Sequence, residues 1–420
     1  MLKAVGRTQQ EGTVVNRGIA RRWWAVLVVT VLCGGSAVER GQAAAAPFAA
    51  PAGLSAAALP VPSPSETAEG QLEGATFLNR IPAAQIASAV AGAGEKAPSV
   101  APLYAVDNHR LTYRTRDGSG RPITASGLVS VPVKAPGAPS PVISYQHGTL
   151  FRNAQAPSNH AVAAEAAVVM ASLGYIVVAA DYVGYGVSAG APHPYLMAAP
   201  SASAVLDLLT ALRTWQRDHG VADNGQLFLA GYSQGGYVTL AAHRAMQAGR
   251  SPHLRSLVAS VAGAGPYHLD ITMDALFRTV RDKHPLLGAL LDPALVKALG
   301  GSLRRELRRV LVRQMVPKDA DVVLQTSFID NHFAGDRAAN ARLSNVDDWT
   351  PEAPLRLFHG RDDRTVPHAS ALHTVQAMRA RGAQGVSLTT CVAAPSSHRN
   401  CVAPYWEFLL ATLGSLARDR

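Results

Sequence analysis

Gly231-Tyr232-Ser233-Gln234-Gly235-Gly236 follows the apolar run Gln226-Leu227-Phe228-Leu229-Ala230 and leads into the helix-prone stretch 237–247. The order reads as a strand, a sharp turn and a helix, with a serine at the apex. The G-x-S-x-G spacing has a mechanical cause: a side chain at either glycine would collide with the neighbouring strand or helix as the backbone doubles back under strain. The Ser233 hydroxyl is thereby pushed into a cleft. The other reading is a glycine-rich turn capped by a serine. What separates the two is whether the chain supplies partners for a nucleophile.

Around this turn, strand and helix signals alternate. Strands are expected over 141–145, 175–180, 226–230 and 257–262, with helices over 161–173 and 202–218 and after the serine. Such alternation predicts an α/β fold with a mostly parallel central sheet flanked by helices. Upstream, the short runs 103–106, 111–114 and 124–133, broken by Asp117-Gly118-Ser119-Gly120, predict antiparallel strands that open the sheet. After 262 strand signals vanish for about 80 residues and arginine-rich helical periodicity takes over, so 266–345 is expected to be a helical cap inserted in the core. Strands resume over 355–358 and 386–392, each followed by a helix, over 369–381 and 404–416. The core thus comprises 101–265 and 346–420. No internal repeat is evident.

A chain of 420 residues, 48% hydrophobic and 16% charged, fills a sizeable core and suits one catalytic domain with appendages. Within the first 46 residues, Arg17, Arg21 and Arg22 precede the apolar stretch 23–33, and Ala43-Ala44-Ala45-Ala46 offers small-residue cleavage sites. This pattern predicts a signal peptide and a secreted or periplasmic protein, with a retained N-terminal anchor as the alternative. Arg21-Arg22 leaves the export route open. Those 46 residues hold six basic and two acidic side chains, so their removal lowers the formal charge from +10 to about +6. No interleaved aromatic and basic motif accompanies that charge, and no nucleic-acid partner is expected. The Ala-, Pro- and Ser-rich stretch 47–65 reads as a flexible leader. Helix-like spacing of Phe77, Leu78, Ile81 and Ile86 suggests an N-terminal arm within 71–100.

A serine hydroxyl is a poor nucleophile at neutral pH, so Ser233 needs a base within hydrogen-bond reach and a carboxylate to hold that base in the right tautomer. Parallel sheets present reactive groups in the loops just after strands. After the strand at 355–358 comes His359-Gly360-Arg361-Asp362-Asp363-Arg364-Thr365-Val366-Pro367. Asp363 is the candidate acid and Asp362 the alternative; either is otherwise a loop carboxylate paired with Arg361 or Arg364. After the final strand, Pro395-Ser396-Ser397-His398 puts an imidazole just before the last helix, which completes the order serine, acid, histidine. His398 is the candidate base.

Of three cysteines, Cys33 lies in the export signal, leaving Cys391 and Cys401 as an even pair in an oxidising compartment. A disulfide between them closes a short loop around His398. Two backbone donors are needed for a tetrahedral oxyanion. One is expected from Gln234, directly after the nucleophile, and one from Gln146-His147-Gly148-Thr149, where Gly148 lets the backbone approach and Thr149 supplies the amide, with His147 as a support.

These residues resemble the α/β-hydrolases, and more narrowly the secretory lipase and esterase group of bacteria and fungi. The likeness spans about 100–415. It rests on 231–236, on Ser144-Tyr145-Gln146-His147-Gly148-Thr149, on Asp181-Tyr182-Val183-Gly184-Tyr185-Gly186, and on His193-Pro194-Tyr195-Leu196 leading to Leu206-Asp207-Leu208-Leu209. The family pattern Gly-x-x-Asp-x-x-Val-Pro, laid over Gly360, Val366 and Pro367, falls on Asp363 and leaves Asp362 out of register. The resemblance also implies that Asp181 is a structural acid tying loops near the cleft, and that 266–345 forms a cap over an acyl-binding pocket. In that cap Leu303, Leu307, Val310, Leu311 and Met315 recur at helical spacing, while Arg304, Arg305, Arg308 and Arg313 form a basic face that either meets a lipid surface or is simply solvated.

The expected activity is hydrolysis of carboxylic esters through Ser233, Asp363 and His398 and an acyl-enzyme, with an ester or lipid as substrate. No metal or organic cofactor is expected: the Cys and His spacings hold no zinc motif and no nucleotide fingerprint follows a strand. Two alternatives are a serine peptidase or amidase of the same fold, and a catalytically silent scaffold that binds lipid or protein.

Overall fold

The alternation of strand and helix signals folds into one nine-stranded sheet. In the computed structural model, which describes residues 69–94, 98–283, 296, 298 and 300–420, the strands are β1 (Leu72–Ile81), β2 (Val106–Arg116), β3 (Pro122–Pro132), β4 (Ser140–Gln146), β5 (Ile176–Ala180), β6 (Asp223–Tyr232), β7 (Leu257–Gly263), β8 (Leu355–His359) and β9 (Val386–Thr390). Their spatial order is β1-β2-β3-β5-β4-β6-β7-β8-β9. The first three run antiparallel, β3 joins β5 antiparallel, and every later pairing is parallel. The export signal and leader lie outside the described residues.

The parallel centre is covered on both faces, which is why β4 and β5 are buried at every residue. One face packs α3 (Ala198–His219), α4 (Gln234–Ala248) and α9 (His368–Ala380) through Trp215, Tyr237, Leu240 and Val375. The other packs α1 (Ala83–Ala93), α2 (Ala166–Ala171) and α10 (Val402–Leu416). On α10, Tyr405, Leu409 and Leu413 repeat every fourth residue, so one apolar stripe meets the sheet and is fully buried.

Between β7 and β8 the described residues include the helices α5 (Leu269–Lys283), α6 (Gly301–Met315), α7 (Ser327–Ala334) and α8 (Arg337–Ser344), with residues 296 and 298 also helical and non-helical connections at 316–326 and 345–354. On α6, Leu311 is buried and Leu303 exposed, while Arg308 forms an ion pair with Asp330 of α7. That arginine is therefore held within the insertion.

Two expectations at the start of the sheet need correction. The helix-like spacing of Phe77, Leu78 and Ile81 belongs to strand β1, and only Ile86 lies on a helix. The register of β1 against β2 shifts between Leu72 and Gly74 and again between Phe77 and Asn79. Each irregularity adds a residue, so the apolar positions lose their twofold period and imitate a helical one. The runs 103–106 and 111–114 are not two strands either. Strand β2 begins at Val106 and continues without a break to Arg116. Its polar centre stays in the sheet because buried Asn108 donates to the Asn79 side chain at 2.8 Å and accepts from the Ser130 hydroxyl at 2.7 Å.

Candidate active site

At the end of β6 the chain turns through Ser233 with φ 61° and ψ −124°, a strained conformation for a residue with a side chain. The turn is fixed by contacts that only bare backbone allows. A Cβ on Gly231 would stand 2.4 Å from the Gly235 carbonyl oxygen, and one on Gly235 would stand 1.9 Å from that of Gln146. The second contact pins the end of β4 against the start of α4. Glycine spacing in the sequence therefore becomes close apposition of the serine turn and the loop 146–149.

The candidate base and acid converge on this turn. His398 Nε2 lies 2.9 Å from Ser233 Oγ, and His398 Nδ1 lies 2.6 Å from Asp363 Oδ2. The Asp363 side chain is fully buried, while that of His398 is only 14% exposed, so water screens their attraction little. The other carboxylate oxygen of Asp363 accepts from the amides of Thr365 and Val366, both at 2.9 Å. Burial opposes the charge on Asp363, but hydrogen bonds from His359 and His398, the His398 charge and the Val366 amide outweigh it. The carboxyl is held well below the usual carboxylate range.

Asp362 points elsewhere. Its Oδ2 accepts from the amide and hydroxyl of Ser396, both at 2.9 Å, and these bonds lower its pKa too. The two neighbouring acids thus have separate tasks: Asp363 faces the histidine, and Asp362 ties the histidine loop to the acid loop.

His359, which sequence reasoning passed over, also sits on Asp363. Fully buried, its Nε2 lies 2.9 Å from the Val366 carbonyl and 3.3 Å from Asp363 Oδ2. The carbonyl assigns the proton to Nε2, so the ring faces the carboxylate with a donor. Its position as the last residue of β8, four before the acid, was the available signal.

Cys391 and Cys401 are joined in a disulfide. The bridge brackets the loop that carries His398, and Gly360 packs beneath it: a Cβ there would lie 2.8 Å from Cys401 Sγ and 2.0 Å from the Ser396 carbonyl. Reduction, or Cys401→Ala, is expected to lower unfolding stability by about 2–3 kcal/mol through freeing a short loop in the unfolded chain. Urea titration with and without reductant measures this, and identical midpoints would show that the bridge contributes nothing.

Gln234 begins α4, so its amide has no acceptor inside the helix. The Thr149 amide donates to no backbone carbonyl among the described residues. A Cβ on Gly148 would lie 3.9 Å from that of Ser233 and 3.5 Å from the Tyr232 carbonyl. These are ordinary contacts, so neighbouring packing does not force a glycine there. Its open face lies against the serine. His147 packs against Tyr182 with ring centres 4.1 Å apart and planes tilted by 31°, and burial lowers its pKa, which suits a support rather than a second base.

The Gln234 side chain donates to His193 Nε2 at 2.8 Å, while His193 Nδ1 bonds the Val183 carbonyl at 2.8 Å. Burial pushes the pKa of His193 down to about 3, leaving a neutral ring able to accept. Asp181 is buried beneath these loops and accepts from the Ser126 hydroxyl and from both the amide and hydroxyl of Ser158. These bonds tie β3 to the loop that carries Ser158.

The insertion reaches this side of the sheet. The amides of His193 and Gln325 bond the carbonyls of Val323 and His193 at 2.8 and 2.7 Å. Tyr195 places its hydroxyl 3.0 Å from Thr149 Oγ1 and its ring centre 6.3 Å from that of Phe328 on α7. A cavity of about 890 Å³ lies between α1 and α10, but Ser233, His398 and Asp363 do not line it.

The sheet order, the helices on both faces and the serine turn between β6 and α4 define an α/β-hydrolase. The family model described as Secretory lipase matches residues 152–327. Among solved structures, the rice cell wall degrading esterase LipA from Xanthomonas oryzae is 25% identical with a TM-score of 0.64, over 84% of this chain and 100% of that one. Candida antarctica lipase A in its closed state shares the fold at 19% identity and a TM-score of 0.53, over 84% of each chain. No curated protein sequence matches significantly. The chain thus has the α/β-hydrolase fold, is similar to the secretory lipases over 152–327, and is a carboxylic ester hydrolase of the lipase/esterase type.

Proposed function

We propose that the protein is an exported serine esterase or lipase in which Ser233 is the nucleophile, His398 the general base and Asp363 its orienting acid. Ser233 Oγ attacks the ester carbonyl carbon as its proton passes to His398 Nε2. The carbonyl π-electrons move onto oxygen, and the resulting oxyanion is held by the amides of Thr149 and Gln234. Collapse breaks the ester C–O bond, His398 returns the proton to the departing alcohol, and an acyl-serine remains. Water then attacks the acyl carbon by the same route, releasing the acid and restoring Ser233.

One observation carries the reading: a single imidazole spans the serine hydroxyl and a buried carboxylate at 2.9 and 2.6 Å. Residues 266–345 act as a cap, supported by the Phe328–Tyr195–Thr149 chain of contacts beside the site. In this reading the arginine-bearing α6 makes transient contact with a lipid surface. Export rests on the signal-like first 46 residues and on the secretory character of the matched family. No helix among the described residues is long and apolar enough to cross a membrane.

A panel of p-nitrophenyl esters of increasing acyl length, set beside an aminoacyl p-nitroanilide, tests the reaction class. Ester turnover at least about a hundredfold above the anilide is expected. Comparable or faster anilide cleavage would make the protein an amidase or peptidase.

A further inference from the structure

His268, Asp347 and His373 belong to none of the loops that build the serine site, yet fold together. Each offers one ligand atom, and the three atoms lie within 4.8 Å of one another. His373 Nε2 is 3.2 Å from Asp347 Oδ2, and the two imidazole rings meet edge to face with centres 4.7 Å apart. Asp347 is 2% exposed, and its other oxygen, Oδ1, is buried with no hydrogen-bond partner among the described residues. A buried carboxylate oxygen without a donor is costly to maintain. Its neighbour Asp348 is already engaged by Arg381, so the guanidinium on hand serves the other acid.

We infer that His268, Asp347 and His373 form a binding site for a divalent transition-metal ion of the zinc class. Two imidazole nitrogens and one carboxylate oxygen suit zinc rather than calcium or magnesium, which favour all-oxygen shells. Water fills the fourth position. Bonds of about 2.0–2.2 Å to each ligand draw the three atoms somewhat closer than they stand. The partly exposed side chain of His373 has room for that adjustment and gives the ion a route from solvent. No local spacing motif signalled the site, because its ligands come from three separate elements.

Its place in the fold gives it a purpose. His268 directly precedes α5 and Asp347 follows α8, so the two mark the ends of the insertion, while His373 stands on core helix α9. The ends are already laced: the Val346 amide bonds the Tyr267 carbonyl at 3.0 Å, and the His268 amide meets the Ser370 hydroxyl at 3.3 Å. A metal clamps both ends of the insertion to the core and stabilises the fold without entering the ester chemistry.

Untagged protein stripped with a chelator and titrated with Co²⁺ tests the site. One Co²⁺ per chain is expected, with visible absorption that Zn²⁺ displaces, and Zn²⁺ should raise Tm. His373→Gln and Asp347→Asn should each weaken binding by about a hundredfold or more and abolish the rise in Tm. If Asp347→Asn fails to fold, His373→Gln carries the test, because its side chain is 43% exposed and ester turnover reports its folding. Absence of stoichiometric binding at about 50 µM metal, or binding undiminished in His373→Gln, would overturn the inference.

Discussion

Ser233→Ala is expected to reduce kcat/KM for a p-nitrophenyl ester by on the order of 10⁴–10⁶-fold while leaving the folded structure intact. The substitution deletes one oxygen and keeps the Cβ that the φ of 61° already accommodates, so neither the turn nor α4 has reason to move. His398 and the two amides remain, and with them the residual rate that oxyanion stabilisation and binding give without a nucleophile. Progress curves with purified variant and circular dichroism on the same sample check both halves. Turnover within about tenfold of the parent would place the nucleophile elsewhere.

Asp363→Asn should cost about 10⁴-fold in kcat, and Asp362→Asn less than about tenfold. Identical chemistry, one residue apart, makes this pair a sharp discriminator. An amide at 363 presents a donor where His398 Nδ1–H needs an acceptor 2.6 Å away, which favours the ring tautomer that cannot take the serine proton. At 362 the same change weakens only the bonds to Ser396, 2.9 Å from the carboxylate on the outer side of the loop. The pH dependence has a definite sign. The folded carboxyl of Asp363 titrates below its unfolded value, so its stabilising contribution is complete above the ordinary carboxylate range and fades as pH falls beneath it. Activity lost in mild acid therefore does not arise from protonating Asp363. Steady-state kinetics on the two variants checks the assignment, and a collapse in Asp362→Asn with Asp363→Asn spared would reverse the roles.

Much of this site is legible because turn chemistry and strand position are local properties. Gly231, Gly235 and the apolar run before them announce the serine turn, the candidate acid stands four residues past the buried strand β8, and the candidate base lies in the loop that follows edge strand β9. Distinguishing Asp363 from Asp362 took the register of a family pattern, since charge is the same at both and only the direction of the side chain differs. What stayed hidden depends on long-range packing. The hydrogen bonds of Asn108 to Asn79 and Ser130 bury a polar stretch that reads as a break between strands. Irregular register in β1 disguised a strand as a helix. His359 was visible as a residue but not as a partner of Asp363, because its ring turns back against the acid four residues later. Contacts such as Tyr195 with Thr149, or Asp347 with His373, join positions that no sequence window contains together.

The most direct test of the Ser233–His398–Asp363 relay is stoichiometric trapping with a serine-directed phosphonate, followed by peptide mass spectrometry. One adduct per chain on Ser233, formed in step with loss of ester turnover and slowed by at least about a hundredfold in His398→Ala, is the expected result. An inactivating adduct on any other residue, or full turnover by protein labelled completely at Ser233, would contradict the mechanism.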